Sequence, residues 1–400
     1  MTSRLRILMI SPQFHPLLGG YERAAMRLSQ GLVSRGHEVE VVAERREKEW
    51  PKTEMIDGVA VRRLWCIYQR GPHVLSTVFS LSFFLLTRGR RFDVWHVHQY
   101  GWPATAAVLL GHLLGRPVVL KLTSTERLGI WSVIEGRSSG WLHRWAHQRV
   151  DACVATSDRA SKEARAFGVP VARIRRIPNG LDTEAYRPVD ANDKPEERRR
   201  LGIHEGFLSI AVGRLDGVKN YEMMIRAWSQ FAGSRDDVRL VILGDGPCRV
   251  RLEKSVVASG ASGSITLAGS VSDPRPWYRV ADLYLLSSDL EGLSNSLMEA
   301  LSSGTPMLST RVSGSEDVIA EAAAGGLVDV GDAVAFSREI SRFHADPGLL
   351  ASCAKEARRY AIAHYSMSSV LDAIESAYRD CVARRAKAVS DPTGRTAGPS

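Results

Sequence analysis

Two glutamates, Glu291 and Glu299, stand eight positions apart in D-L-E-G-L-S-N-S-L-M-E-A-L-S-S-G-T-P (residues 289–306), across a glycine and a run of small polar residues. Such carboxylates can accept from the hydroxyls of a sugar ring or a ribose, or they can serve the backbone. The backbone use has its own signature here: Ser296-x-x-Glu299 fits a capping box, and Gly304 with Pro306 fits a helix stop. Upstream, G-R-L-D-G-V-K-N-Y (213–221) brings Arg214 and Lys219 to one loop. A planar fork and a point charge converging there suit a diphosphate. Near the N-terminus, Gly19-Gly20 sits where a helix should begin, so backbone N–H groups can approach an anion, although a plain tight turn reads equally well. It is not G-x-G-x-x-G, and no dinucleotide fingerprint is supported. G-D-G-P (244–247) and the Gly269 turn, with Val271 just beyond it, are further loops of this kind.

The elements that must position these residues are strand-like apolar runs alternating with helix-like segments. In the first half the runs cover 7–10, 39–43, 59–64, 94–97, 118–122, 153–155 and 174–177, several of them nearly continuous in Val, Ile and Leu. Strands buried on both faces read this way, and the alternation means βα crossovers and a parallel sheet with helices on both sides. A polar stretch with two prolines, 186–206, is expected to be a linker with a short helix. A second alternation follows at 208–212, 240–243, 265–268, 283–286, 307–309 and 327–330. The reading is two doubly wound Rossmann-like α/β domains, 1–185 and 207–362, facing across a cleft, then a helix over 363–385 and a disordered tail over 386–400. In open parallel sheets ligands bind beyond the carboxyl ends of the strands, which places Arg214, Lys219 and Glu291 at one sheet edge and makes the cleft the default site. The N–H groups of Leu293, Ser294 and Asn295, next to Gly292, would begin a helix and cradle an anion.

Length and composition agree. Four hundred residues with 44% apolar content suffice for two cores. No leader is expected, because Met1 to Arg4 run straight into an apolar strand. The longest apolar stretch, 74–86, is too short for a bilayer span, which takes about 20 residues. With Arg88, Arg90 and Arg91 behind it, it reads as a core helix with a basic end or as a patch resting on an anionic membrane surface. A net charge of +9 suits anionic lipid, phosphorylated ligands or nucleic acid. Aromatics do not interleave with the basic residues as a single-strand groove requires, so nucleic acid is not expected. Five scattered cysteines without C-x-x-C read as buried thiols of a reducing, cytoplasmic compartment, neither a metal site nor a disulfide framework.

Taken together, G-G-x-E (19–22), S-R-G-H-E-V-E-V-V, D-V-W-H-V-H, I-P-N-G-L-D (177–182), V-G-R-L-x-x-x-K-N, G-D-G-P and E-x7-E with E-A-L-S-S-G-T-P resemble the retaining GT-B glycosyltransferases of family 4, over about residues 6 to 370. The resemblance implies transfer of a sugar from a nucleotide diphosphate sugar to a glycan, lipid-linked or small-molecule acceptor, with no cofactor beyond that co-substrate. It implies that Arg214 and Lys219 clamp the diphosphate, that Glu291 touches donor-sugar hydroxyls, that Glu299 holds the ribose, and that the final helix crosses back to the first domain. A GT-B sugar-nucleotide epimerase and a non-catalytic nucleotide-sugar-binding protein are the competing readings. No D-x-D is present, and a metal-independent reaction is expected.

One departure concerns K-L-T-S (121–124), where Thr123 stands in place of the histidine that the resemblance implies. His96 and His98 are the alternatives. They alternate along one strand, so that one alone is taken to face the cleft, and His98, nearer the carboxyl end, is the candidate. The acceptor side should lie in the first domain, whose loops at 100–102 and 127–144 hold Trp102, Trp131 and Trp141. His143 and His147, four apart on a helix-like segment, could bind a metal but have no visible third ligand. His15 is the one base that an inverting reaction would find in the first loop.

Overall fold

The computed structural model describes residues 4–16, 20–69, 71–122, 139–203 and 206–390. The chain forms two compact units, residues 1–180 with 367–400, and residues 181–366.

The first unit is built on an eight-stranded sheet of β1 (Arg6–Ile10), β2 (Glu38–Arg45), β3 (Thr53–Ile56), β4 (Val59–Trp65), β5 (Val94–His98), β6 (Val118–Leu122), β7 (Ala152–Ala155) and β8 (Ile174–Arg176). Their spatial order is β3-β4-β2-β1-β5-β6-β7-β8. Every residue of β5 and β6 is buried, which is why these segments carry apolar residues at both parities. Alternate residues go to opposite faces. Ile7, Met9, Val94 and Val119 pack beneath Leu371, Ile374 and Tyr378, while Leu8, Ile10, Trp95 and Leu120 pack beneath Leu81, Phe84 and Leu85. All pairings are parallel except β3 with β4, a hairpin that the apolar-run reading missed. β3 is a half-exposed edge strand and carries no continuous apolar run. Its signal is the Asp57-Gly58 turn, where both residues take positive φ (46° and 81°), as a two-residue hairpin turn requires.

The second unit is a six-stranded, wholly parallel sheet of β9 (Phe207–Val212), β10 (Val238–Leu243), β11 (Ile265–Gly269), β12 (Leu283–Leu286), β13 (Met307–Thr310) and β14 (Gly325–Val328), in the order β11-β10-β9-β12-β13-β14. It too is covered on both faces, by Trp228, Phe231 and Phe336 on one side and by Tyr278, Leu297 and Leu301 on the other.

The stretch 186–206 lies inside this unit. Its helix Lys194–Arg200 is tied to β12 through Asp282, which accepts from Lys194 at 2.8 Å and from Arg198 at 2.6 Å. The last helix, Met367–Ser390, belongs to the first unit and runs past the expected end at 385. It is held there by Leu371 over Gly31 and by Arg35, which bonds Asp372 at 2.5 Å and Glu375 at 3.1 Å. The tail beyond 390 lies outside the described residues.

Candidate active site

In the second unit the strand order reverses between β9 and β12, so the loops leaving their carboxyl ends flank a switch point where an open α/β sheet binds its ligand. The loop after β9 is closely determined. Leu215 is fully buried, its N–H bonds Asp245 O at 3.0 Å and its carbonyl accepts from Cys248 N at 2.9 Å. A Cβ on Gly246 would meet the Leu215 carbonyl at 2.5 Å, and one on Gly244 would overlap the Gly213 carbonyl. The G-D-G-P glycines therefore admit the Arg214 loop against the next one. Asp216 caps the short turn Gly217–Lys219. Asn220, in the left-handed region at φ 45°, caps the helix Tyr221–Ala232 through Oδ1. Its other amide atom, Nδ2, donates to Asp289 Oδ1 at 2.7 Å. The two loops are laced by that bond, by Ser287 Oγ donating to Lys219 O (2.8 Å) and by Asp289 N donating to Val218 O (2.8 Å).

This lacing brings Lys219 and Glu291 together. Lys219 Nζ donates to Glu291 Oε2, and Ser288 Oγ reaches the same oxygen at 3.4 Å. The paired side chains are 17% and 19% exposed, so the pair is shielded from solvent screening more than a surface pair is. Arg214, on the same loop, is exposed and makes no ion pair among the described residues.

Glu299 takes a different part from the one a capping box would give it. The helix Asn295–Ser302 has Ser294 at its N-cap, with no side-chain cap bond. The box's third position therefore falls on Leu297, and Glu299 lies two residues further in. Ser296 instead bonds Tyr284 OH at 2.8 Å and Ser294 Oγ at 2.9 Å. Glu299 is buried and accepts from Tyr278 OH at 3.1 Å. Burial, then the Glu299 charge, holds that phenol well above its ordinary range. Gly292 and Leu293 lie against Gly314, where no Cβ would fit, and Leu293 and Val271 pack on the same apolar cluster as Tyr278. The motifs named Arg214, Lys219, Glu291 and Glu299. They did not point to Tyr278 and Tyr284, which lie elsewhere in the sequence, and the roles of Asp289 and Asn220 were missed although Asp289 opens the quoted stretch 289–306 and Asn220 ends the quoted V-G-R-L-x-x-x-K-N.

In the first unit Gly20 opens the helix Gly20–Ser34, and Glu22 in its first turn is buried. Gly19, Thr123 and Trp131 lie outside the described residues, as does most of the 127–144 loop. The reading of His96 and His98 needs correction. Residues two apart on a strand share a face, and these rings stack with centroids 4.5 Å apart. His96 Nδ1 bonds Tyr378 OH at 2.5 Å. His98 pairs in register with Lys121 of β6, and all three side chains are buried. Burial holds both imidazoles well below their usual range, with neighbouring positive charge adding to it, and lowers the Lys121 ammonium to about 8. His98 is thus a neutral ring in a packed stack. His143 and His147 are buried as well. His143 Nδ1 bonds Thr105 at 2.8 Å, His147 Nδ1 bonds the His143 carbonyl at 2.6 Å, and the rings pack on Trp102 and Tyr100, so helix packing accounts for their spacing. His15 is half-buried, and its carbonyl accepts from Arg63 at 2.7 Å. All five cysteines are free, and Cys248 alone of them is not buried.

The family described as Glycosyl transferases group 1 matches residues 193–360, and the Glycosyl transferase 4-like domain matches residues 19–180. The chain is 27% identical to the lipopolysaccharide core biosynthesis mannosyltransferase LpcC of Rhizobium leguminosarum bv. viciae, over 72% of this chain and 78% of that protein. It is 26% identical to D-inositol 3-phosphate glycosyltransferase of Acidothermus cellulolyticus, over 96% and 92%. Among solved structures, HepE of Anabaena in complex with UDP superposes with a TM-score of 0.76 at 17% identity, over 93% of this chain and 99% of that one.

Proposed function

We propose, from the premise that the chain belongs to the group 1 glycosyltransferases of GT-B fold, that it moves a sugar from a nucleotide diphosphate sugar with retention and without a metal ion. The observation that carries this is the Lys219–Glu291 pair at the β9/β12 switch point, with Arg214 exposed beside it. An incoming diphosphate competes with Glu291 for the Lys219 ammonium and adds Arg214 as a second cation. Glu291, released, accepts from hydroxyls of the donor sugar. Glu299, positioned by Tyr278, accepts from the ribose, and the backbone at the start of Asn295–Ser302 faces the same anion. Arg214 and Lys219 then stabilise the charge that grows on the departing diphosphate.

The acceptor side belongs to the first unit, and one of its helices favours a lipid-linked or membrane-borne acceptor. On Pro72–Arg88 the inward residues Leu81, Phe84 and Leu85 are buried, whereas Leu75, Phe79, Phe83 and Leu86 form a stripe that is 51–75% exposed. Exposed Arg88, Arg90 and Arg91 follow at the same end. An apolar stripe with a basic end suits a peripheral contact with an anionic membrane surface. No described helix is long and apolar enough to cross a membrane.

The deciding experiment is turnover of UDP-, GDP- and ADP-sugars with and without added glycan or lipid-linked acceptors. Acceptor-dependent release of nucleoside diphosphate is expected. Conversion of the sugar nucleotide without acceptor indicates an epimerase, and binding without turnover a non-catalytic protein. Co-sedimentation with anionic but not neutral vesicles, lost in Phe79→Ser with Phe83→Ser, tests the membrane contact.

A further inference from the structure

The first unit holds a second constellation that the transfer reaction does not use. Glu44 near the end of β2, Cys66 just after β4 and His73 in the first turn of Pro72–Arg88 converge from three elements. Their donor atoms, a carboxylate oxygen, Sγ and an imidazole nitrogen, all lie within 4.8 Å of one another. Glu44 and Cys66 are buried, and His73 is half-buried. From this geometry we infer a binding site for a single zinc-type divalent ion, held by Glu44, Cys66 and His73.

The donor set selects the class of ion. Thiolate and imidazole favour zinc and its neighbours, whereas magnesium and calcium take oxygen donors. Three protein ligands leave one position of a tetrahedral ion for water. The carboxylate also has the outer partners that ligating carboxylates need. Thr77 Oγ1 donates to Glu44 Oε1 at 3.0 Å, and Arg46 Nε donates to Oε2 at 2.9 Å. Tyr68 sets its ring edge-on to His73 at 5.0 Å and lies under the Arg46 guanidinium at 4.6 Å, fixing both side chains. Glu44 and Thr77 also border a small cavity with Leu64 and Ser80.

The competing account is a plain hydrogen-bonded cluster, since His73 Nε2 already lies 3.0 Å from Glu44 Oε1. That account gives Cys66 little to do. Among the described residues its thiol reaches only the Arg45 carbonyl, at 3.5 Å. A divalent ion would engage it, because coordination removes the thiol proton and the two anionic ligands match the charge of the ion. Bound metal would join the ends of β2 and β4 to the first turn of Pro72–Arg88.

The test is titration of chelator-treated, full-length protein with Co(II) and Zn(II). One equivalent should bind. Co(II) should give a thiolate-to-metal charge-transfer band with the visible absorption of a tetrahedral ion, and Zn(II) should displace it and raise the melting temperature. Cys66→Ser should abolish the charge-transfer band and His73→Gln should weaken binding about 100-fold or more, while Cys248→Ser should leave both unchanged. Thr77→Val, which touches no metal, should weaken binding about tenfold. Circular dichroism of the metal-free variants checks folding, and Cys66→Ala replaces Cys66→Ser if the latter unfolds. No charge-transfer band in the wild type, or a band that survives loss of Cys66, overturns the site.

Discussion

Lys219 gives its ammonium to Glu291 across two loops, one leaving β9 and the other β12, and Asn220 and Asp289 tie those loops together immediately beside the pair. Cation and carboxylate are thus held as a unit by the sheet's central strands. Glu291→Gln should lower turnover by about 10²–10³-fold with little change in melting temperature. Lys219→Ala should lower the rate constant as well as donor affinity, because it stops stabilising the leaving diphosphate. The double variant should lose much less than the product of the single losses, since both act through one pair. Additive losses, or a fall in stability that parallels the fall in rate, would make the pair a structural strut.

Glu299 and Tyr278 make a second testable couple. Gln at 299 can still accept from Tyr278, so Glu299→Gln should fold normally. Its donor KM should rise about tenfold, because a neutral acceptor bonds a hydroxyl less strongly than a carboxylate does. Tyr278→Phe withdraws a buried donor and should cost about 1–3 kcal/mol of stability as well as donor affinity. Unchanged KM in Glu299→Gln would remove the ribose assignment.

What the sequence made legible follows from where side chains point. Strands such as β5 and β12 are buried on both faces, so apolar runs reveal them; β3 has one exposed face at a sheet edge, and only its Asp-Gly turn could betray it. Arg214, Lys219 and Glu291 could be named because loops at strand ends carry polar residues with no packing reason to be there, whereas Glu299, buried inside the helix Asn295–Ser302, was named through the E-x7-E pattern. Tyr278 was illegible because a tyrosine beside Trp277 and Val280 in a short helix looks like core, and its hydroxyl bond to Glu299 depends on tertiary structure. The His96–His98 pair was misjudged by a wrong parity, which strand geometry alone would have corrected.

Lys121 yields a prediction about pH. Burial lowers its pKa from 10.5 to about 8, so between these values the unfolded chain binds a proton that the folded chain has released. Stability contributed by this group therefore rises with pH from about 8 to about 10.5, and below pH 8 the buried charge is a constant cost of up to about 3 kcal/mol. Lys121→Met should be more stable than the wild type at pH 7, and the difference should shrink as pH rises to 10. Denaturant melts of both proteins across that range measure it. A constant difference would show that Lys121 is solvated.

Chelation supplies a further check. On the proposed reading Arg214, Lys219 and the helix start supply positive charge to the diphosphate, and the sequence has no D-x-D to recruit a cation. Transfer should persist in excess EDTA. Complete loss restored by Mg²⁺ or Mn²⁺ would show that the clamp is misassigned, whereas a loss that Zn²⁺ alone restores would trace to the Glu44, Cys66 and His73 constellation.

The stereochemical outcome discriminates most sharply among mechanisms. Inversion by a single displacement needs a base on the acceptor side. His15 is the first-loop candidate: its carbonyl is fixed by Arg63, which β3 holds through Glu54, and its Nδ1 is buried without a hydrogen-bond partner among the described residues. A ring so placed could take a proton. Retention needs no protein base if the departing diphosphate accepts the acceptor's proton on the face it leaves. On the proposed reading Arg214 and Lys219 would steady the diphosphate, and Glu291, which pairs with Lys219, would orient the sugar hydroxyls and offset positive charge on the ring. The product should therefore keep the donor's anomeric configuration, and His15→Ala should keep most of its activity. Proton NMR of freshly formed product, read from the anomeric coupling constant, decides the matter. An α-linked donor giving a β-linked product, together with an inactive His15→Ala, would move the chemistry to the first loop and leave Glu291 as no more than the partner of Lys219.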